Sequence, residues 1–219
     1  MTPGRQVLRV LELFSGTGSI STAFRRAGHE VISLDIDNRY APTICKNILD
    51  WNFKTLPRGH FDAIWASPPC ENYSIARSNA STPRDLLNAD SCVLRTQEII
   101  EWFGPRHYFV ENPTTSQLWL RFKWPRLVKT SYCAYGFPYM KKTTIATNSV
   151  DFSLKDPCGG AGVCASMVGN IHQEHAQKGG GGASNVYHTR DELHKIPPGL
   201  CMDVVLFCEL GQGVAEERG

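Results

Sequence analysis

Hydrophobic and polar positions at the start of the chain lay out a strand, a turn, a helix and a second strand. Val7-Leu8-Arg9-Val10-Leu11-Glu12-Leu13-Phe14 is apolar enough for a strand covered on both faces. It breaks at Ser15-Gly16-Thr17-Gly18 into a helical stretch over residues 19–27, which Gly28-His29 ends. Residues 30–35 read as a second strand finishing on Asp35, and residues 40–45 as a further helix. Phe61-Asp62-Ala63-Ile64-Trp65-Ala66 is another strand, stopped by Ser67-Pro68-Pro69-Cys70 because two prolines forbid continued central pairing. A helix over residues 90–102 and a strand over 107–111, halted at Asn112-Pro113, complete the alternation. Strands alternating with helices predict an α/β fold: a doubly wound, mostly parallel sheet of Rossmann-like type, covered on both faces.

Beyond Pro113 the pattern loosens. Residues 131–137 and 143–147 read as paired antiparallel strands around Gly136-Phe137-Pro138. From residue 156 to about 190 the chain is rich in Gly, Cys and His, includes the run Gly179 to Gly182 and shows no periodicity, so it reads as an irregular insertion without a second core. Pro197-Pro198 opens a closing helix over residues 199–209, with proline at an allowed early position. The expectation is one domain over residues 1–219 carrying an insertion at 156–190.

Composition narrows the class. A hydrophobic fraction of 42% with 20% charged residues is that of a globular domain, which excludes a disordered or fibrous chain. No apolar run approaches the roughly eighteen residues a membrane helix needs. The N-terminal ten residues lack the apolar core of a secretory signal. A cytoplasmic, nuclear or viral-host compartment is therefore expected, with no membrane partner. Eight scattered cysteines then point to thiols, metal ligands or catalysis rather than to disulfides. A net charge of +2 is too mild to mark a nucleic-acid binder, although Arg121, Lys123, Arg126, Lys129, Lys141 and Lys142 form a local basic run.

Three motifs carry chemistry. Phe14-Ser15-Gly16-Thr17-Gly18 lies between a strand and a helix, with Asp35 ending the next strand. Glycines let backbone approach a ligand, and an acid at that place can accept both hydroxyls of a ribose. Ser21 stands where a dinucleotide fingerprint needs its third glycine, which favours a nucleoside cofactor such as S-adenosylmethionine (SAM) over NAD(P). Ser67-Pro68-Pro69-Cys70 follows a strand's carboxyl end, where open α/β sheets bind ligands. A thiolate there can add to carbon 6 of cytosine and turn carbon 5 into a nucleophile. Phe109-Val110-Glu111-Asn112-Pro113 places a carboxyl group at a neighbouring strand end, where it can hydrogen-bond ring nitrogen 3 and make carbon 6 electrophilic.

In this order the motifs resemble those of the cytosine carbon-5 DNA methyltransferase family, and in organisation its short, virus- or phage-type members. The matching segments also include Ser33-Leu34-Asp35-Ile36-Asp37, Glu71-Asn72-Tyr73-Ser74, Tyr135-Gly136-Phe137-Pro138 and Ile196-Pro197-Pro198-Gly199-Leu200. The resemblance implies that Phe14, Ser15, Gly16, Thr17 and Gly18 line a SAM pocket with Ser67 and Pro69, that Asp35 holds the ribose, and that Ile36 lies against the adenine. Asn47, followed by Ile48, stands where the family usually has an aspartate for the adenine amine, and Asp50 is near enough to compete for that role. It implies Cys70 as nucleophile and Glu111 as the acid. A base cannot present carbon 6 from inside a duplex, so flipping is implied, with a loop over residues 74–89, carrying Arg77 and Arg84, closing over it.

The chain also departs from the family. Where the family usually has Gln and two arginines, it has Tyr139, Lys141 and Thr143. Lys141 can supply a charge at the site, whereas Thr143 cannot reproduce a guanidinium fork. The large target-recognition domain is replaced by the short insertion, where Cys158, Cys164, His172 and His175 suit a structural zinc ion. The expected activity is methyl transfer from SAM to DNA cytosine by a monomer. An RNA cytosine methyltransferase and a non-catalytic SAM- or DNA-binding relative are the alternatives.

Overall fold

The structure is a computed structural model and describes residues 6–74, 83–176, 182–184, 186 and 188–210. Seven strands form one sheet: β1 (Arg9–Leu13), β2 (Glu30–Asp35), β3 (Ile44–Cys45), β4 (Ala63–Ala66), β5 (His107–Pro113), β6 (Arg126–Ser131) and β7 (Lys142–Thr147). Their spatial order is β3-β2-β1-β4-β5-β7-β6. The five strands from β3 to β5 run parallel, and β7 lies antiparallel to both β5 and β6. The α/β, mostly parallel expectation is met, with the antiparallel members at the end where the pattern loosened.

Alternation along each strand divides the core in two. Val10, Ala63, Trp65, Phe109 and Ile145 face Ile20 and Phe24 of α1 (Ser19–Arg26) and the buried residues of α5 (Pro198–Leu210). Their sequence neighbours Leu11, Ile64, Val110 and Ala146 face Cys92, Ile99 and Phe103 of α2 (Leu86–Phe103). Strands buried on both faces have no polar side, which is why their sequences read as continuous apolar runs. Ile64 is fully buried, so Ile64→Ala is expected to cost about 2–5 kcal/mol through lost burial and the cavity left behind. His29 ties the two helices on the first face together, accepting from Leu8 N at 3.2 Å and meeting Glu209 at 2.8 Å. Among the described residues no helix is long and apolar enough to cross a membrane.

Three boundaries differ from the expectation. Residues 40–45 are not a helix: Ala41 sits at φ 46° ahead of Pro42, and Thr43 exchanges hydrogen bonds with Ser33 that draw Ile44 and Cys45 into an edge strand beside β2. The helix after the cysteine motif starts at Leu86 instead of residue 90, because the Asp85 carboxylate accepts from Asn88 N at 3.0 Å and caps it there. Leu86 to Ala89 are therefore helix, and Arg77 of the expected closing loop lies outside the described residues. Residues 132–135 form a 3-10 turn, and the strand paired with β7 lies earlier, at Arg126–Ser131. The insertion holds one short hairpin of β8 (Met167–Val168) and β9 (Ile171–His172), and α4 (Arg190–His194) follows, preceded by a capping box between Thr189 and Glu192. The short α3 (Leu118–Arg121) leads into β6. Neither Arg121 nor Arg126 is free to serve a basic patch: the first pairs with Asp90, and the second donates to the carbonyls of Ser149 and Phe152.

Candidate active site

Parallel strands deliver their carboxyl ends to one edge, and there β1, β2, β4 and β5 open into a cleft of about 410 Å³. That is the size of a small-molecule site. The chain leaves β1 through Phe14 at φ 57° and turns at Gly16 and Gly18, with φ 44° and 68°. A non-glycine residue in the left-handed region costs on the order of 1–3 kcal/mol and persists only where its surroundings hold it. Ser15 N donates to Leu34 O at 3.1 Å and Gly18 N to Ser15 O at 2.8 Å, which fix this turn. The Asp35 carboxylate accepts from Gly16 N at 2.7 Å and from Asp37 N at 2.9 Å, so one acid braces the loops after β1 and β2. Ile36 stands 69% exposed beside it, an apolar side chain left uncovered on the cleft wall.

Asn47 and Ile48 line the same wall, and Asp50 does not. The Asn47 amide oxygen accepts from Leu49 N at 3.0 Å, which leaves one of its lone pairs for a ligand. Glu12 lies at the base of the cleft, 2% exposed, and its carboxyl accepts from Ser21 N at 2.9 Å and from the Ser21 hydroxyl. Burial, only partly offset by those bonds, raises its pKa to about 7.

The other half of the cleft is built from the ends of β4, β5 and β7. Asn112 Nδ2 donates to Pro68 O at 2.8 Å and locks the Ser-Pro-Pro-Cys turn against the end of β5. Cys70 caps the 3-10 turn over Glu71–Tyr73 and is half-buried on the wall. Burial pushes its thiol pKa up; Lys141 opposes that, Glu111 adds to it, and Arg190 opposes it. Glu111 is 6% exposed, and its Oε1 accepts from the Thr143 hydroxyl and from Tyr132 OH, the latter at 3.4 Å. Thr143 sits opposite Pro113 in the β5–β7 ladder, diagonal to Glu111, and its hydroxyl reaches across to orient the carboxylate. Lys141 Nζ donates to Leu193 O at 3.1 Å and lies 4.6 Å from the centre of the Tyr132 ring.

Of the residues singled out from the sequence for cofactor and catalysis, all but Gly18 and the competing Asp50 line this cleft. Gly18 instead caps α1. Sequence reasoning missed Arg190 and His194, which α4 brings to the same wall. Arg190 pairs with Glu71 beside the cysteine, and burial, reinforced by Lys141 and Arg190, lowers the His194 pKa. Neither residue belongs to a motif; the only signal was a Thr-x-x-Glu capping pattern just before a proline-marked helix. The proposed metal set is also altered: Cys158, Cys164 and His172 come together with Cys133, whereas His175 is exposed outside the group. Cys133 escaped notice because the whole of β7 separates it in sequence from Cys158.

Residues 8–114 match the C-5 cytosine-specific DNA methylase family. The chain is 31% identical to the probable DNA (cytosine-5)-methyltransferase of Frog virus 3 (isolate Goorha), over 92% of its own length and 100% of the viral protein. It is 27% identical to the type II methyltransferase M1.HphI of Haemophilus parahaemolyticus over 48% of its length, which spans 32% of that enzyme. Among solved structures, the Entamoeba histolytica methyltransferase EhMeth overlaps 64% of this chain and 53% of its own at 20% identity, with a TM-score of 0.48.

Proposed function

The chain belongs to the C-5 cytosine-specific DNA methylase family, and from that premise we propose that its cleft transfers a methyl group from SAM to carbon 5 of a cytosine flipped out of DNA. The observation that carries this reading is the convergence of Cys70 and Glu111 on the cleft whose far wall is the glycine turn and Asp35. The donor set there fits SAM: a ribose-type acid, glycine amides open to close approach, and the uncovered Ile36. Asp35 would hold the ribose, with Asn47 and Ile48 at the adenine edge and Phe14, Ser15, Gly16, Thr17, Ser67 and Pro69 lining the remainder. Bound there, the cofactor supplies an electrophilic methyl group on a sulfonium.

Cys70 acts as a thiolate. Its sulfur bonds to carbon 6 of the cytosine, and the electrons of the 5,6 double bond move to carbon 5 as Glu111 holds a proton at ring nitrogen 3. Carbon 5 is then nucleophilic toward the methyl group. A base then takes the carbon-5 proton, which restores the double bond and expels the Cys70 sulfur as a thiolate, while the proton at ring nitrogen 3 returns to Glu111. Thr143 keeps Glu111 aimed, and Lys141 supplies a positive charge to the base pocket in place of the family's arginine pair. Because burial raises the Cys70 thiol, single-turnover rates are expected to climb with pH through the neutral range and level off on the alkaline side. We read residues 1–219 as one catalytic unit acting as a monomer, in which the insertion at 156–190 stands where the family carries a target-recognition domain.

The test is covalent capture. DNA bearing 5-fluorocytosine lets the thiol add and the methyl transfer, but the fluorine cannot leave as a cation, so the adduct persists. A SAM-dependent, denaturation-resistant complex that maps to Cys70 is expected. Capture on RNA alone, or no capture despite SAM binding, would overturn the DNA reading.

A further inference from the structure

Residues 153–176 are ordered without a hydrophobic core. Ser166 is their single buried residue, while Val163, Val168 and Ile171 stand 77%, 55% and 50% exposed. The backbone is nonetheless knit: Cys164 N donates to Gly160 O at 3.0 Å, Met167 N to Cys164 O at 3.1 Å, and β8 pairs with β9. Fixing a residue costs roughly 1–2 kcal/mol of conformational entropy, which so little apolar burial cannot offset. Small ordered units of this kind hold together through disulfides, metals or assembly. The cysteines are free thiols.

Three side chains of the segment and one from the body converge on one point. The ligand atoms of Cys133, Cys158, Cys164 and His172 all lie within 4.8 Å of one another. Cys158 Sγ is 3.5 Å and Cys164 Sγ 3.7 Å from His172 Nε2. A tetrahedral zinc ion with ordinary Zn–S and Zn–N bond lengths needs a sulfur-to-nitrogen edge of about 3.6 Å. We propose that these four side chains bind one structural zinc ion. Four protein ligands close the coordination sphere, so the ion holds structure and takes no substrate. It clasps the insertion to the body: Cys133 lies in the turn just after β6, and Cys158 N and Lys155 O also bond the side chains of Ser131 and Thr130. That turn leads through Gly136 and Pro138 to Lys141, and Pro138 O accepts from Glu174 N at 3.0 Å. The metal therefore fixes the insertion against the loop that carries a cation to the cleft.

The experiment is elemental analysis of untagged native protein, purified without added metal or chelator and shown to be folded by circular dichroism. About one zinc ion per chain is expected, retained in His175→Ala and lost in Cys158→Ser and Cys133→Ser. Reloading the native protein with cobalt should give the thiolate charge-transfer and strong visible bands of a tetrahedral site, a readout independent of whether the variants fold. Folded native protein without zinc and without the cobalt spectrum would overturn the site. Loss of zinc in His175→Ala with retention in Cys133→Ser would overturn the ligand set.

Discussion

The two walls of the cleft are held in different ways. The wall after β1 and β2 is a local device: a glycine turn, one aspartate and two backbone amides, all within a short stretch of chain and seated on the buried ends of parallel strands. The wall at the ends of β4 and β5 and the start of β7 is assembled from afar, with Cys70, Glu111, Lys141, Thr143 and Arg190 drawn from four segments and partly supported by the coreless insertion. The first wall is thus pre-organised by the fold itself, whereas the second depends on side-chain contacts that a single substitution can remove. Binding of cofactor and handling of base should separate cleanly under mutation.

The largest break in that comparison is expected from Cys70→Ser, which should lower methyl transfer by at least about a thousandfold while SAM affinity changes by less than about twofold, as read by single-turnover kinetics and calorimetry. Glu111→Gln follows. Loss of an acid at ring nitrogen 3 should reduce turnover by roughly a hundredfold to ten-thousandfold, again with cofactor binding intact. Thr143→Val removes the hydroxyl that orients Glu111 and should cost about tenfold to a hundredfold in kcat with little change in KM for SAM. Equal losses in SAM affinity in any of these would show that the two walls are one unit.

The smallest effect sharpens the other wall. Glu12 has a folded pKa of about 7 against an ordinary 4.5, so the folded state holds the extra proton between those values. Stability is therefore full below the ordinary value and is lost as pH rises through 7, by up to on the order of 3 kcal/mol. Glu12→Gln should flatten that decline, so the Tm difference between variant and native protein should grow from pH 5 to pH 8. A constant difference would mean that Glu12 does not titrate in this range.

The same contrast explains what could be read from the sequence. The first wall was legible because its parts are close together: glycine spacing, strand-end acid and apolar runs are local signals. Cys70 and Glu111 were legible because prolines mark the strand ends that present them. Arg190 and His194 were not, since their place at the cleft depends on how the insertion folds back, and nothing in their spacing encodes that. Cys133 was hidden for a similar reason. Its partners Cys158 and Cys164 lie across β7, and the stretch around it reads as a strand although Gly136 at φ 87° closes it as a turn. The helix over residues 40–45 failed because a Thr–Ser hydrogen bond across β2 outweighs local propensity.

The central claim is tested most directly by following labelled methyl groups from SAM into mixed-sequence duplex DNA and digesting the product to nucleosides, with native protein and Cys70→Ser in parallel. Label confined to 5-methylcytosine and absent with the variant is the predicted result. Label in another nucleoside, or undiminished label with Cys70→Ser, would contradict it.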